Sequence, residues 1–464
     1  MRVSILTFSF LLLCLPFVSA QDVVVGNTTL TQRDVVTGIQ VPWEILWGPD
    51  DHIWVTERRG RILRVEPESG NFTTILNHQN AVESGGEPGM LGMALHPDFD
   101  EVPLVYVVYN YGLGFNIRER LVSFKWDGEQ LTDEVILLED ITGGGIHNGS
   151  RIIISPDHKI LMTTGDAGNS SLSQNMNSLA GKLLRINLDG SIPDDNPDPT
   201  SYIYSYGHRN AQGLCFGPND MLYSSEHGAQ SSDEFNLIEV NRNYGWPNVQ
   251  GACNTSTEIN FCNTFNVKEP LLEWSPCIAV NGIDYYNHPA IPEWENSILL
   301  AVLGGIGGSA QGIIHIPLSE DGQSATEGEK YFTNFGRLRD VCINPHTGAL
   351  YIATNGPSYP GSGPNRIIEY RNLDYVVNST ENHFAERQFI RIQPNPMQSE
   401  GLVSFSVNFI GASYQIISFN GQVMENGTVL VPELELDLSK YPAGTYYLKA
   451  TNSIGTITKT FVVL

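Results

Sequence analysis

The chain has 464 residues, 41% of them apolar, and carries 26 Lys and Arg against 51 Asp and Glu, a formal net charge of -25. That balance excludes a nucleic-acid binder, which needs cationic surface to displace counterions. The length allows one large core and a smaller module beside it.

Residues 1–20, MRVSILTFSFLLLCLPFVSA, hold one Arg, an apolar run and a small-residue end. This reads as a secretory signal peptide cleaved before Gln21. The run is short for a membrane anchor and no other stretch could span a bilayer, so no integral membrane segment is expected.

From residue 22 a short pattern recurs: an apolar residue, a spacer, Pro, a polar turn and an apolar strand. The clearest copies are WGPDDHIWVTE (47–57), ISPDHKILMTTGD (154–166), FGPNDMLYSSE (216–226) and INPHTGALYIATNG (343–356), with looser ones at 95–109 and 286–302. The prolines fall at 49, 97, 156, 218, 289 and 345. A strand-rich repeat of this period predicts an all-β fold, a six-bladed β-propeller over 21–373 with one copy per blade. Loops from every blade then gather round one axis.

Five constellations in this region could carry chemistry. Glu87 is the one ionisable side chain in the Gly-rich lead SGGEPGMLG (84–92). His147 sits in the Gly-rich loop GGGIHNG (143–149), and Asp166 follows 19 residues later, at the end of a strand pair that returns the chain to its start. Asp166 can then fix the imidazole tautomer and leave the other nitrogen free as a general base. In YGHRNAQGL (206–214), Arg209 offers a rigid fork to carboxylate or quinone oxygens, and Asn210 can donate and accept. In SSEHGAQSSDEFNLIEVNRNYGWP (224–247), the carbonyls of Gly228 and Ala229, with Glu234 and Tyr244, supply hard oxygen of the kind calcium prefers. Arg337 and Arg339 alternate in GRLRDV, so both face one side, an arrangement that favours an anion between them.

Removal of the signal peptide leaves five cysteines. Cys253 and Cys262 could close a short disulfide in an oxidising compartment, with Cys277 a competing partner; Cys215 and Cys342 read as buried thiols. At VVNSTENHFAERQ (376–388) the repeat stops, and a linker is placed at 374–388. Residues 389–464 alternate apolar and polar residues through several short strands with Asn-Gly and Ala-Gly turns, which predicts a small C-terminal β-sandwich.

The Pro-Asn-Pro near the start of this module, its Leu-x-x-x-Pro-x-Gly-x-Tyr run (438–446) and its terminal Lys-containing strand resemble the C-terminal sorting domain of the type IX secretion system of Bacteroidetes. The resemblance implies secretion machinery as a partner and a secreted or outer-membrane-surface location. A carbohydrate-binding or adhesion sandwich is the competing reading.

Taken together, the five constellations resemble the soluble pyrroloquinoline quinone (PQQ) sugar dehydrogenases, in particular the aldose branch of the glucose/sorbosone dehydrogenase family, over about residues 30–372. The resemblance implies that His147 is the catalytic base and Asp166 its orienting carboxylate. It implies cofactor contacts at Glu87, Arg209, Asn210, Arg337 and Arg339. The carbonyls of Gly228 and Ala229 would hold the calcium that ligates the quinone, and Glu234 with the Tyr244 carbonyl a further calcium. Aldose sugars are then the substrates, and an external acceptor takes the electrons. This chain departs from the pattern at Ile146, where soluble glucose dehydrogenases carry Asp. It also has Glu87 where the family often has Gln, and no Lys in 300–314. These departures fit a broad aldose oxidiser better than a dedicated glucose enzyme. A non-catalytic binding propeller is the alternative.

Overall fold

In the computed structural model, the described residues are 22–305, 310–376, 390–393, 397, 401–405, 409–431, 433–452 and 456–464. The expected signal peptide, and most of the expected linker, lie outside them. The chain divides into two compact units, one comprising Met1–Asn344 and Gly348–Asp374, the other Pro345–Thr347 and Tyr375–Leu464.

The first unit is built from six antiparallel sheets. The first sheet runs Pro42–Trp47, Ile53–Glu57, Arg61–Val65 and Phe72–Asn77; the second opens with Met90–Leu95 and Leu104–Tyr111. The third contains Gly149–Ile154, Lys159–Thr164, Lys182–Asn187 and Ile203–Tyr206. The fourth opens with Ala211–Phe216 and Leu222–Glu226, the fifth with Val280–Tyr286 and Ser297–Val302. The sixth is discontinuous in sequence. Leu338–Ile343, Leu350–Thr354 and Asn365–Arg371 are joined by Thr28–Ile39 from the start of the chain, which pairs with Asn365–Arg371 from Thr31↔Arg371 to Ile39↔Asn365.

All six repeat prolines fall in the turn between the first and second strands of a sheet, one per sheet. The first strands contact one another in sequence order, and Leu338–Ile343 returns to touch Pro42–Trp47, so they form a closed ring. Because side chains alternate across a strand, each sheet presents apolar residues to both neighbours, and the core lies between sheets. Ile45, Val55 and Leu63, for example, pack against Tyr351, Ala353 and Ile367. This is an all-β, multi-sheet arrangement of the propeller kind. At the ring's centre the polar residues of the first strands pair with each other. Arg151 is buried, lies 4.5 Å from the Trp43 ring centroid, and is ion-paired with Glu44 and, at 3.1 Å, with Asp340.

One element had not been read from the sequence. Ser256–Phe265 is a ten-residue α-helix with no buried residue. Without an apolar face it lacks the periodicity by which helices are recognised. Its ends hold it: Thr255 and Glu258 form a capping box, Asn266 closes it in the left-handed conformation, and a disulfide joins Cys253 to Cys262. Cys277, Cys215 and Cys342 are free thiols.

In the second unit, a three-stranded sheet (Ile390–Gln393, Gly401–Phe405, Glu433–Leu436) and a four-stranded one (Val423–Thr428, Ser413–Ser418, Gly444–Thr451, Thr456–Val463) share a core that includes Val403, Phe405, Ile416, Leu448 and Phe461. Among the described residues, no helix is long and apolar enough to cross a membrane.

Candidate active site

Five of the candidate positions lie just before a first strand and three just after a second one, while Arg339 and Glu234 lie within strands and Tyr244 follows a third strand. Glu87 precedes Met90–Leu95, His147 precedes Gly149–Ile154, Arg209 and Asn210 precede Ala211–Phe216, and Arg337 precedes Leu338–Ile343. Asp166 follows Lys159–Thr164. The return of each hairpin brings these positions side by side. The approach is close: a Cβ on Gly165 would lie 1.9 Å from the His147 carbonyl oxygen, so only glycine fits there.

His147 Nδ1 lies 2.8 Å from Asp166 Oδ1, and Nε2 lies 3.0 Å from Arg209 Nη2. Arginine can only donate, so Nε2 is the acceptor and the ring proton sits on Nδ1, directed at Asp166. Asp166 is 2% exposed, and its other oxygen accepts from Trp246 Nε1 at 2.9 Å. Burial pushes its carboxyl up, but the bonds from His147, Gly168 and Trp246 outweigh that and hold it below the usual range. Arg209 donates to the His227 carbonyl at 3.0 Å and lies over the Trp246 ring at 5.3 Å. His147, Asp166, Trp246 and Arg209 are thus joined in one connected set.

The side formed by the first and sixth sheets is different. Arg339 is buried and donates to Gln212 Oε1 at 2.8 Å and Asn281 Oδ1 at 2.7 Å, both neutral. Burial, together with the positive charges of Arg337, Arg58 and Arg151, pushes it down to about 9. Arg337 and Arg58 are also pushed down, mainly by burial, and the Nε of each is buried without a hydrogen-bond partner. Three guanidiniums held together, with donors unspent, are suited to a ligand carrying several negative charges. PQQ, with its carboxylates and quinone oxygens, fits that donor set.

The remaining candidates are placed differently. Asn210 is buried, and its Oδ1 already accepts the Gly149 N–H at 3.0 Å. Glu87 binds the His147 N–H and the Tyr359 hydroxyl. Gly228 lies in a tight turn organised by Asp233, whose Oδ1 accepts the Gly228 N–H at 2.8 Å and whose Oδ2 accepts those of Ile278 and Ala279. The carbonyls of Ser231 and Ser232 crowd this turn, 2.1 and 2.4 Å from where a Gly228 Cβ would stand. Ala229 is exposed beside it. Glu234 is buried and accepts from Gly251 N at 2.8 Å; burial and the nearby Glu226 charge push its carboxyl up to about 8. The Tyr244 ring stacks on His208 at 4.5 Å. Among the described residues, no three His, Cys, Asp or Glu side chains converge as a metal site, so backbone oxygens would have to supply most ligands for calcium.

Sequence reasoning missed Arg58, Trp246, His227 and Tyr359. A usable signal was present for Arg58 and His227. Each directly follows the second strand of a repeat copy, one residue short of the position that Asp166 occupies in its own copy.

The scaffold is shared with solved structures. The PQQ-bound form of aldose sugar dehydrogenase from Streptomyces coelicolor superposes with a TM-score of 0.62 at 32% identity, over 73% of this chain and 96% of that one. The chain belongs to the glucose / sorbosone dehydrogenase family, whose pattern it matches over residues 39–360, and residues 391–464 match the secretion system C-terminal sorting domain. Quinoprotein glucose dehydrogenase B from Acinetobacter calcoaceticus is 31% identical over 73% of this chain and 88% of its own length. A protein of Synechocystis sp. described as uncharacterized is 34% identical over 73% of this chain and 87% of its own.

Proposed function

We propose that this protein is an exported, PQQ-dependent and calcium-assisted oxidoreductase that converts the anomeric hydroxyl of aldose sugars to lactones. The observation that carries the reading is the imidazole of His147, its Nδ1 proton directed at Asp166 and its Nε2 left as the acceptor, in the same site as Arg58 and Arg337, whose buried Nε donors have no hydrogen-bond partner. The quinone, when bound, supplies a two-electron hydride acceptor. The chain's own residues do the rest. His147 Nε2 takes the hydroxyl proton as the anomeric carbon gives up its hydride. Asp166, fixed by Trp246, stabilises the imidazolium that results. Arg58, Arg337 and Arg339 offset the ligand's negative charge, and Arg209 yields its bond to Nε2 when the sugar hydroxyl arrives. Gly228, Ala229, Glu234 and Tyr244 would hold calcium.

In this reading the six sheets are six propeller blades. The signal peptide covers 1–20, the dehydrogenase domain 21–373, a linker 374–388 and a β-sandwich sorting domain 389–464. Export places the enzyme outside the cell or on its outer surface, with a separate electron acceptor. Purified protein given calcium and PQQ should take up the cofactor and reduce dye with glucose, galactose or xylose. Uptake without turnover under any of these sugars would sink the enzymatic reading. No uptake at all would favour the non-catalytic binding module, for which Ile146 and the Lys-free stretch 300–314 speak.

A further inference from the structure

Both carboxylate oxygens of Glu87 are committed, to donors on two different segments. Oε2 accepts the backbone N–H of His147 at 2.8 Å, and Oε1 accepts the Tyr359 hydroxyl at 2.6 Å, from 272 residues away in sequence. Its own N–H reaches the Gly145 carbonyl at 3.3 Å, which ties the lead of the second sheet to the His147 loop. His147 has φ +57, a left-handed conformation that a residue with a Cβ adopts at a cost, so the loop needs an outside hold. Tyr359 belongs to the 356–364 connection of the sixth sheet and is 64% exposed; burial does not fix its ring, but its hydroxyl bond can. Arg58 and Arg337 act on the same hydroxyl.

We propose that Glu87 is a positioning residue, a clasp joining the loop that carries the imidazole to the 356–364 loop at the site's rim, and that Tyr359 bounds the entrance to the site. A carboxylate suits this task because each oxygen faces a donor. A glutamine would turn an N–H₂ toward one of them. The presence of Glu at this position is then explained by its two neighbours rather than by the cofactor. The kinetic consequences rest on His147 being the base; the structural ones do not.

Hydrogen–deuterium exchange on the full-length protein without cofactor tests the clasp directly. Glu87→Ala should speed exchange about tenfold or more in both 143–149 and 356–364, whereas Tyr359→Phe should do so in 356–364 alone. Glu87→Gln keeps the side-chain volume and should release one of the two segments, which guards against a variant that fails to fold. Unchanged exchange at 143–149 in both Glu87 variants would overturn the proposal, as would equal loosening of both segments by Tyr359→Phe. In protein loaded with calcium and PQQ, Glu87→Ala should lower kcat roughly tenfold or more with little change in KM, because the base is misplaced. Tyr359→Phe should act mainly on KM. A wild-type protein that takes up no PQQ would remove the dehydrogenase reading, and the exchange result would still decide the clasp.

Discussion

The two halves of the site contrast. On the side of the third and fourth sheets, His147, Asp166, Trp246 and Arg209 form a connected set. On the side of the first and sixth sheets, Arg58, Arg337 and Arg339 crowd together, and two of their donors are unspent. The first half is prepared for a proton and needs nothing added. The second concentrates positive charge and keeps two buried donors unpaired. Preorganisation in one place and electrostatic stress in the other are what a cofactor-dependent site needs: a base that does not move, and a binding region whose relief drives uptake.

The largest expected effect comes from breaking the paired half. His147→Asn, a residue that tolerates the left-handed backbone at this position, should lower turnover by about 10²–10⁴-fold while leaving the thermal unfolding midpoint nearly unchanged. Steady-state dye reduction and circular dichroism melting check the two parts. The unpaired half should respond in affinity instead. Arg339→Met removes a desolvated charge whose partners are neutral amides. Stability should change little, but PQQ affinity should fall by roughly 10–100-fold, the worth of one charge-assisted bond. Equilibrium titration of the cofactor measures it. Equal loss of affinity in His147→Asn and Arg339→Met would erase the contrast.

Acid–base behaviour sharpens it further. Burial pushes Glu119 and Glu234 up to about 8 and Asp284 up to about 7. A carboxyl raised in the folded state binds more protons there than in the unfolded chain, so its contribution is full below the ordinary carboxylate range. It is lost as pH rises through 7–8. Lys182, pushed down to about 7 by burial, works the other way above that pH, one amine against three acids. The unfolding midpoint should therefore drop between pH 5.5 and 8.5 by on the order of 2–5 °C. Calcium should recover part of the drop if Glu234 serves it, and Glu234→Gln should abolish that recovery. The smallest effect belongs outside the site. Cys253→Ser opens the disulfide of an exposed helix and should leave sugar oxidation within about twofold of normal, since the loss is confined to a local loop.

Much of this was legible in the sequence because the repeat is also a geometric unit. Each proline marks one hairpin, and each hairpin delivers its ends to the same face of the ring. His147 and Asp166 stand at the two ends of one such unit, which is why their spacing announced a pair. Arg58 stands at the same kind of end but was hidden in a run of three basic residues, Arg58, Arg59 and Arg61, where local charge gives no sign of which one turns inward. Tyr359 could not be found in this way. Its partner comes from another sheet, and a contact of that separation has no local signature. The helix Ser256–Phe265 is illegible for a different reason: its stability lies in its caps and its disulfide, and it has no apolar stripe. The proposed calcium ligands are the least legible, because main-chain oxygens carry no residue identity.

The pairing of Thr28–Ile39 with Asn365–Arg371 also sets an order of events. As the polypeptide emerges from synthesis, Thr28–Ile39 has only the short Val23–Val25 strand for company until more than three hundred later residues have appeared, so the circle stays open through most of the protein's birth. A nascent chain is thus sticky at two loose margins at once, and whatever escorts it must shield both until they meet.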